Sequence, residues 1–260
     1  MKKLYFEYDY KVEFDQEIFD HQYQLRCIPR DGTRQKIMQI EYTLSPPSKA
    51  SRINDGFGNP TYTGSCNAPH TAFSFQVKGE ILRDDSLDQG IETCYPIYKY
   101  STPLTRASEE IKRFALENKK ETDYDTCLEL MHRVHAYMTY QSGITNNQTT
   151  AKEAFLLQKG VCQDYAHILI SALRSLNIPS RYVAGIMEGE GATHAWVDAY
   201  AGDHFIHLDP TNDRIVNEGY IKLSHGRDFS DCIIDKGIFK YHFLPVQKMS
   251  VKVKVEEIDD

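Results

Sequence analysis

Cys162, His194 and Asp209 are residue types that together support nucleophilic chemistry, and each lies on a different predicted element. Cys162 follows Gly160-Val161 at the start of an apolar helix, Thr193-His194-Ala195-Trp196-Val197-Asp198 starts a strand, and Asp209 lies in His207-Leu208-Asp209-Pro210-Thr211-Asn212 at the end of the next. A free thiol has a pKa near 8.5, and only the thiolate is a strong nucleophile. In the first turn of a helix, unpaired amide protons and the positive dipole end favour the anion. The Cys162 amide would also be a natural donor to a developing oxyanion, with Gly160 allowing close backbone approach. The competing reading of Cys162 alone is a small residue at a helix junction.

The hairpin arithmetic separates these readings. If Gly202-Asp203 is a two-residue turn, Ala201 faces His204, and Trp196 stands opposite Asp209. His194 and Asp209 then become diagonal neighbours on one face, roughly 7 to 8 Å apart along the backbone and within side-chain reach. A three-residue turn would place them on opposite faces. In the even register the carboxylate would fix the imidazole tautomer and support the imidazolium. His207 shares that face, but it adjoins Asp209 on the same strand and reads as packed or exposed. His167, one turn beyond Cys162, is the weaker base because it lies on the nucleophile's own helix.

The elements around these residues divide into two regions. Alternation from Phe6 to Phe14, and β-like stretches at 23–28, 36–44 and 71–82, predict a small antiparallel sandwich over residues 1–95. Asp55-Gly56-Phe57-Gly58-Asn59 reads as a turn between strands. After Pro96 the period becomes helical. A first helix is expected from Thr102-Pro103 to about Asn118, and a second carries Cys127, Met131, Val134 and Met138 on one stripe. His132 and His135 on that helix read as satisfied or half-exposed. Thr150-Ala151-Lys152-Glu153 matches a capping box for a short helix ended by Gly160 in the left-handed region. The helix of Cys162 follows, ending at Asn177-Ile178-Pro179, and strands then come at 181–186, 194–200 and 204–208. Further strands at 220–223 and 249–255 complete a second, α+β region of residues 96–260.

Composition narrows the functions. Of 260 residues, 41% are apolar and 26% charged, with a net charge of −7 and no basic cluster, which argues against nucleic acid or an anionic membrane as partner. No run approaches a membrane span, and acidic residues interrupt the N-terminus before a signal sequence could form, so cytoplasmic residence is the expectation. Six cysteines without short repeated spacing argue against a disulfide framework or structural zinc. A zinc site of Cys162, His194 and Asp209 would have only three protein ligands; no EF-hand loop, phosphate loop or dinucleotide fingerprint is present. No metal or cofactor is implied.

Four ordered motifs carry a resemblance: Gly160-Val161-Cys162-Gln163-Asp164-Tyr165-Ala166-His167, Ile178-Pro179-Ser180-Arg181-Tyr182-Val183, His194-Ala195-Trp196-Val197 and Leu208-Asp209-Pro210-Thr211-Asn212. Together they resemble the core of the bacterial transglutaminase-like superfamily, related in site layout to papain-like cysteine proteases. Gly226-Arg227-Asp228-Phe229-Ser230-Asp231 is similar to a segment after that core, and the N-terminal strands to the β domain before it. The resemblance implies an N-terminal β-sandwich followed by a transglutaminase-like core of helices on an antiparallel sheet. It implies Cys162 as nucleophile, His194 as general base and acid, and Asp209 as orienter. Tyr140, Gln163 and Trp196 are candidates for lining the substrate or oxyanion site, with core packing the preferred reading of Tyr140. The chemistry expected is acyl transfer from a peptide, protein or small amide through a thioester, with hydrolysis preferred over capture by an amine. A protein-glutamine transglutaminase and a non-catalytic binding protein of the same fold are the rival readings. Glu188 and Glu190 form an acidic stretch before His194 that reads as exposed surface charge or as a rim for a cationic substrate.

Overall fold

The computed structural model describes residues 1–32, 34–87 and 92–259. The N-terminal strands are β1 (Lys2–Leu25), β2 (Gln35–Ser45), β3 (Ala50–Asn54), β4 (Pro60–Cys66) and β5 (His70–Arg83). Alternation drives β1: Leu4, Phe6, Tyr8, Tyr10, Val12 and Phe14 all point inward and are buried. Its first half pairs with β5, its second half with β4, and the register breaks between Glu13 and Ile18. The break folds one strand into two facing leaves, so Phe73 of β5 contacts Tyr10, His21 and Tyr23.

The core adds α1 (Glu109–Glu117), α2 (Asp123–Tyr137), β6 (Thr139–Tyr140), α3 (Ala151–Leu157), β7 (Lys159–Gly160) and α4 (Cys162–Ser175). β8 (Ser180–Met187), β9 (Gly189–Gly191), β10 (His194–Ala201), β11 (His204–Asp209), β12 (Arg214–Ile215) and β13 (Tyr220–Gly226) follow. The core sheet runs β12-β11-β10-β8-β13, antiparallel throughout. α4 packs against it, and every residue from Asp164 to Arg174 is buried, including the polar Asp164, His167, Ser171 and Arg174. Ile168, Leu169, Ile170 and Leu173 each contribute about 1.5–3 kcal/mol through that burial. The Cys162 end of α4 is thereby fixed against β8 and β10.

The strand expected at 249–255 departs from its assignment to the second region, and a strand at Asp235–Tyr241 that the sequence does not predict joins it. β14 (Asp235–Tyr241) and β15 (Gln247–Glu257) pair with β1 instead, and β15 also pairs with β9. β9 immediately precedes the His194 strand, so the N-terminal sheet grips the site's approach. The Asp55–Asn59 turn is likewise a docking point. Asn59 is fully buried and exchanges two hydrogen bonds with the His225 backbone, at 2.8 and 2.9 Å.

Two helix ends also differ from expectation. α1 starts at Glu109, because Ser108 caps it and Thr102 to Thr105 closes a separate turn. α3 does begin with the Thr150–Glu153 capping box, but Gln158, at φ 55°, is its left-handed cap. Gly160 serves the next junction. A Cβ there would lie 2.4 Å from the Asp164 carboxylate, which folds back to accept the Val161 amide at 2.7 Å and the Thr145 hydroxyl at 2.7 Å. Gly160 is thus small to admit Asp164, rather than to admit substrate. Among the described residues no helix is long and apolar enough to cross a membrane, and all six cysteines are free.

Candidate active site

Cys162 is the first residue of α4 after Val161, where its amide has no acceptor within the helix. It is half-buried. β10 and β11 form the two-residue hairpin in the even register, with Ala201 opposite His204 and Val197 opposite Leu208. Gly202 takes the positive φ (73°) that the turn needs. His194 Nε2 then lies 2.8 Å from Asp209 Oδ2. With Nε2–H committed to the carboxylate, Nδ1 is left for the thiol, and Cys162 lies close enough to the same imidazole to help raise its pKa. The structure therefore brings the three sequence-predicted residues together.

The electrostatics follow from these contacts. Burial works against a charged His194, but the hydrogen bonds to Asp209 and Cys162 outweigh it and hold the imidazole's pKa at about 9. Asp209 is fully buried. Burial pushes its carboxyl up, yet the hydrogen bonds from His194, Asn212 and Tyr220 bring it below the usual range. Five donors surround it. His194, Asn212 Nδ2 (2.7 Å) and Tyr220 Oη (2.7 Å) reach Oδ2, and the Thr211 and Asn212 amides reach Oδ1 at 3.0 and 3.2 Å.

Residues 210–213 are fixed from a third side. His135 Nδ1 donates to the carbonyls of Pro210 and Thr211, and His132 bonds Asp213. The two α2 histidines are thus satisfied side chains, and their partners lie next to Asp209. Among the described residues no group of three His, Cys, Asp or Glu side chains is placed to hold a metal ion.

The remaining candidates divide. Trp196 is buried, edge-on to Tyr220 at 5.5 Å, and its ring covers Gly185, so it supports the wall behind Asp209. Tyr140 is 58% exposed, which overturns core packing. It lies on β6, paired with β7 just before Cys162, and its hydroxyl pKa is raised by burial and by the charge of Cys162. Gln163 is half-buried, and its Nε2 is sealed from solvent without a hydrogen-bond partner. His167 is fully buried, accepts the Phe229 amide at 3.2 Å, and is lowered to about 4 by burial, as befits a core histidine. His207 bonds Asp198 at 2.6 Å. Asp198 is itself buried against Arg181 and Lys222 (3.0 and 2.8 Å). Glu188 pairs with Lys2 at 2.9 Å, so this part of the acidic stretch ties β9 to β1.

Sequence reasoning missed Tyr220, Asn212 and the two α2 histidines as supports. Asn212 carried a signal, since Asp-Pro-Thr-Asn is an Asx-type turn in which the carboxylate takes amides two and three residues on. Tyr220 carried none, because β13 reaches Asp209 from the far edge of the sheet.

Comparison with known proteins agrees with this geometry. Residues 112–210 match the transglutaminase-like superfamily, and residues 5–82 match the bacterial transglutaminase-like N-terminal region. An uncharacterized protein of Mycobacterium leprae is 28% identical over 242 residues, covering 82% of this chain and 85% of the relative. One from Mycobacterium bovis is 27% identical over 248 residues, covering 81% and 79%. A solved structure from Cytophaga hutchinsonii, described only provisionally as a cysteine protease, superposes with a TM-score of 0.81. It shares 22% identity and covers 100% of this chain and 91% of its own, which establishes a common fold.

Proposed function

The chain belongs to the bacterial transglutaminase-like superfamily, with the fold of papain-like cysteine enzymes, and from that premise we propose that it cleaves peptide or other amide bonds with Cys162, His194 and Asp209 as its triad. The observation that carries this reading is the His194 ring bonded through Nε2 to Asp209 at 2.8 Å, with Cys162 near enough to the same ring to help raise its pKa.

In the proposed cycle the Cys162 thiolate attacks the amide carbon, forming an S–C bond and a tetrahedral oxyanion. The Cys162 amide stabilises that oxygen, with the exposed Tyr140 hydroxyl as a further donor at the same end of α4. His194, as imidazolium, gives its proton to the amine as the C–N bond breaks, leaving a thioester and neutral imidazole. A water then attacks, His194 takes its proton, and the acid leaves with the thiolate restored. Asp209 stays ionised throughout and holds the ring in the tautomer that presents Nδ1 to sulfur.

Hydrolysis is preferred to transfer because the site is open to water: Cys162 is only half-buried and Tyr140 beside it is exposed. A mixed library of peptide amides, offered with and without an excess primary amine, tests this. Products heavier by one water, lost in Cys162→Ala, support the hydrolase. Incorporation of the amine in place of water identifies a transamidase, and no product in either arm contradicts both.

A further inference from the structure

Behind the triad, between the N-terminal sheet and the core, lies a partly open cleft of about 180 Å³. Its walls differ in chemistry. Trp196, Val216 and Tyr220 form an apolar side, while Arg30, Arg83 and Lys222 supply cations on the other. Tyr220 alone of these reaches the triad, through Asp209, and the proposed reaction makes no use of the cations.

The carboxylates nearby are already engaged. Glu92, which also lines the space, takes two bonds from Arg181, at 2.8 and 2.7 Å. Asp198 holds Arg181, Lys222 and His207 together. Asp85 accepts from Arg83 at 3.1 Å and pairs with Arg34 at 2.7 Å. Arg30 is different. Its guanidinium bonds the His225 ring, at 3.0 and 3.3 Å, while Glu92 and Asp198 act on it only from beyond hydrogen-bond reach among the described residues. His225 offers no compensating charge, since burial and the cations around it keep it neutral. Arg83 is 4% exposed, and its Nε is buried without a hydrogen-bond partner.

Arg30 is half-buried with no carboxylate bonded to it, and a buried guanidinium donor without an acceptor, as at Arg83 Nε, costs folding free energy unless something else supplies the acceptor. The apolar wall opposite gives such a ligand a body to rest on. We propose that this space is a binding site for a small oxyanion, a carboxylate or phosphate group held by Arg30, Arg83 and Lys222, with its remaining body against Trp196 and Val216. Crowding of the cations agrees: burial and neighbouring Arg181 bring Lys222 down to about 8, and burial brings Arg83 down to about 10. An anion would raise both.

Trp196 is the chain's single tryptophan, so its fluorescence reports occupancy directly. The Cys162→Ala protein is titrated with benzoate and, separately, with inorganic phosphate, at constant ionic strength held with chloride. A saturable change with benzoate identifies an organic carboxylate, and one with phosphate identifies a phosphate group; either supports the site. Arg30→Met should weaken that binding about tenfold or more, the loss expected for one charge-assisted contact. If Arg30→Met does not fold, Val216→Phe keeps the cations and fills the space, and it should abolish the response. No saturable change with either anion overturns the proposal, as does binding that both folded variants retain unaltered. Because no turnover is read, the outcome is independent of the reaction at Cys162.

Discussion

Tyr220 and His194 hold the same oxygen of Asp209: the tyrosine hydroxyl donates to Oδ2 at 2.7 Å and the imidazole Nε2–H at 2.8 Å. The orienting carboxylate is therefore itself oriented, from β13 on one side and from the turn after β11 on the other. Tyr220→Phe removes one bond to a charged acceptor and keeps the ring against Trp196. We expect kcat/KM to fall about tenfold with the fold intact, since such bonds contribute about 1.5–3 kcal/mol and four donors to Asp209 remain. Unchanged kinetics would mean that Tyr220 packs without positioning.

The pH dependence has a defined sign. His194 carries its proton up to about pH 9 because Asp209 and Cys162 outweigh burial. The imidazolium needed to protonate the leaving amine is present through neutrality, so kcat/KM should lose activity as pH climbs through about 9. The fold follows the same proton: this stabilisation is complete below about 6.5, the ordinary histidine value, and is lost by about 9. In Asp209→Asn the carboxylate's support goes while burial stays, so the alkaline limb should move to lower pH. The rate should also fall about 10³- to 10⁴-fold, as when an orienting carboxylate is neutralised elsewhere. An alkaline limb unmoved by this substitution would show that it belongs to another group.

Gly185 faces the Trp196 ring so closely that an added Cβ would lie 2.3 Å from it and 2.4 Å from the Ile221 carbonyl. Gly185→Ala must displace the tryptophan or part β8 from β13. Thermal unfolding should show a loss of about 1–3 kcal/mol, and kcat should drop with it, because Trp196 supports Tyr220. Lost stability with full activity would uncouple that wall from the triad.

Asp198 tests a different part of the same sheet. It is fully buried and neutralises Arg181 and Lys222, which is why its carboxyl is held well below the usual range against the pull of burial. Asp198→Ala leaves Arg181, 1% exposed, with Glu92 alone. Denaturant unfolding should show a loss of about 3–5 kcal/mol. A loss below about 1 kcal/mol would mean that water or Glu92 compensates the charge.

Much of this site could be read from local rules. The even hairpin register followed from the parity of a two-residue turn, and the helix-start position of Cys162 followed from an apolar run ending at Pro179. The Thr150 capping box was visible for the same reason: its partners are three residues apart. The unread parts are long-range. Nothing in the period of β14 or β15 says that they pair with β1, more than 200 residues away in sequence, and nothing around Tyr220 points to Asp209. Tyr140 looked like a core tyrosine because its exposure depends on where the β6–β7 pairing ends. At the level of sequence Gly160 suggests substrate access, but its smallness serves Asp164, whose inward fold only the three-dimensional packing reveals.

The central claim is that His194 makes Cys162 a nucleophile, and alkylation tests it most directly. Iodoacetamide labelling of the native protein at pH 6 to 7, followed peptide by peptide, reports Cys162 separately from the other five cysteines. The account predicts that Cys162 reacts about tenfold or more faster than an ordinary thiol, and that His194→Ala removes the advantage without unfolding the chain. A Cys162 that labels no faster than an ordinary thiol, at a rate His194→Ala leaves unchanged, would contradict it.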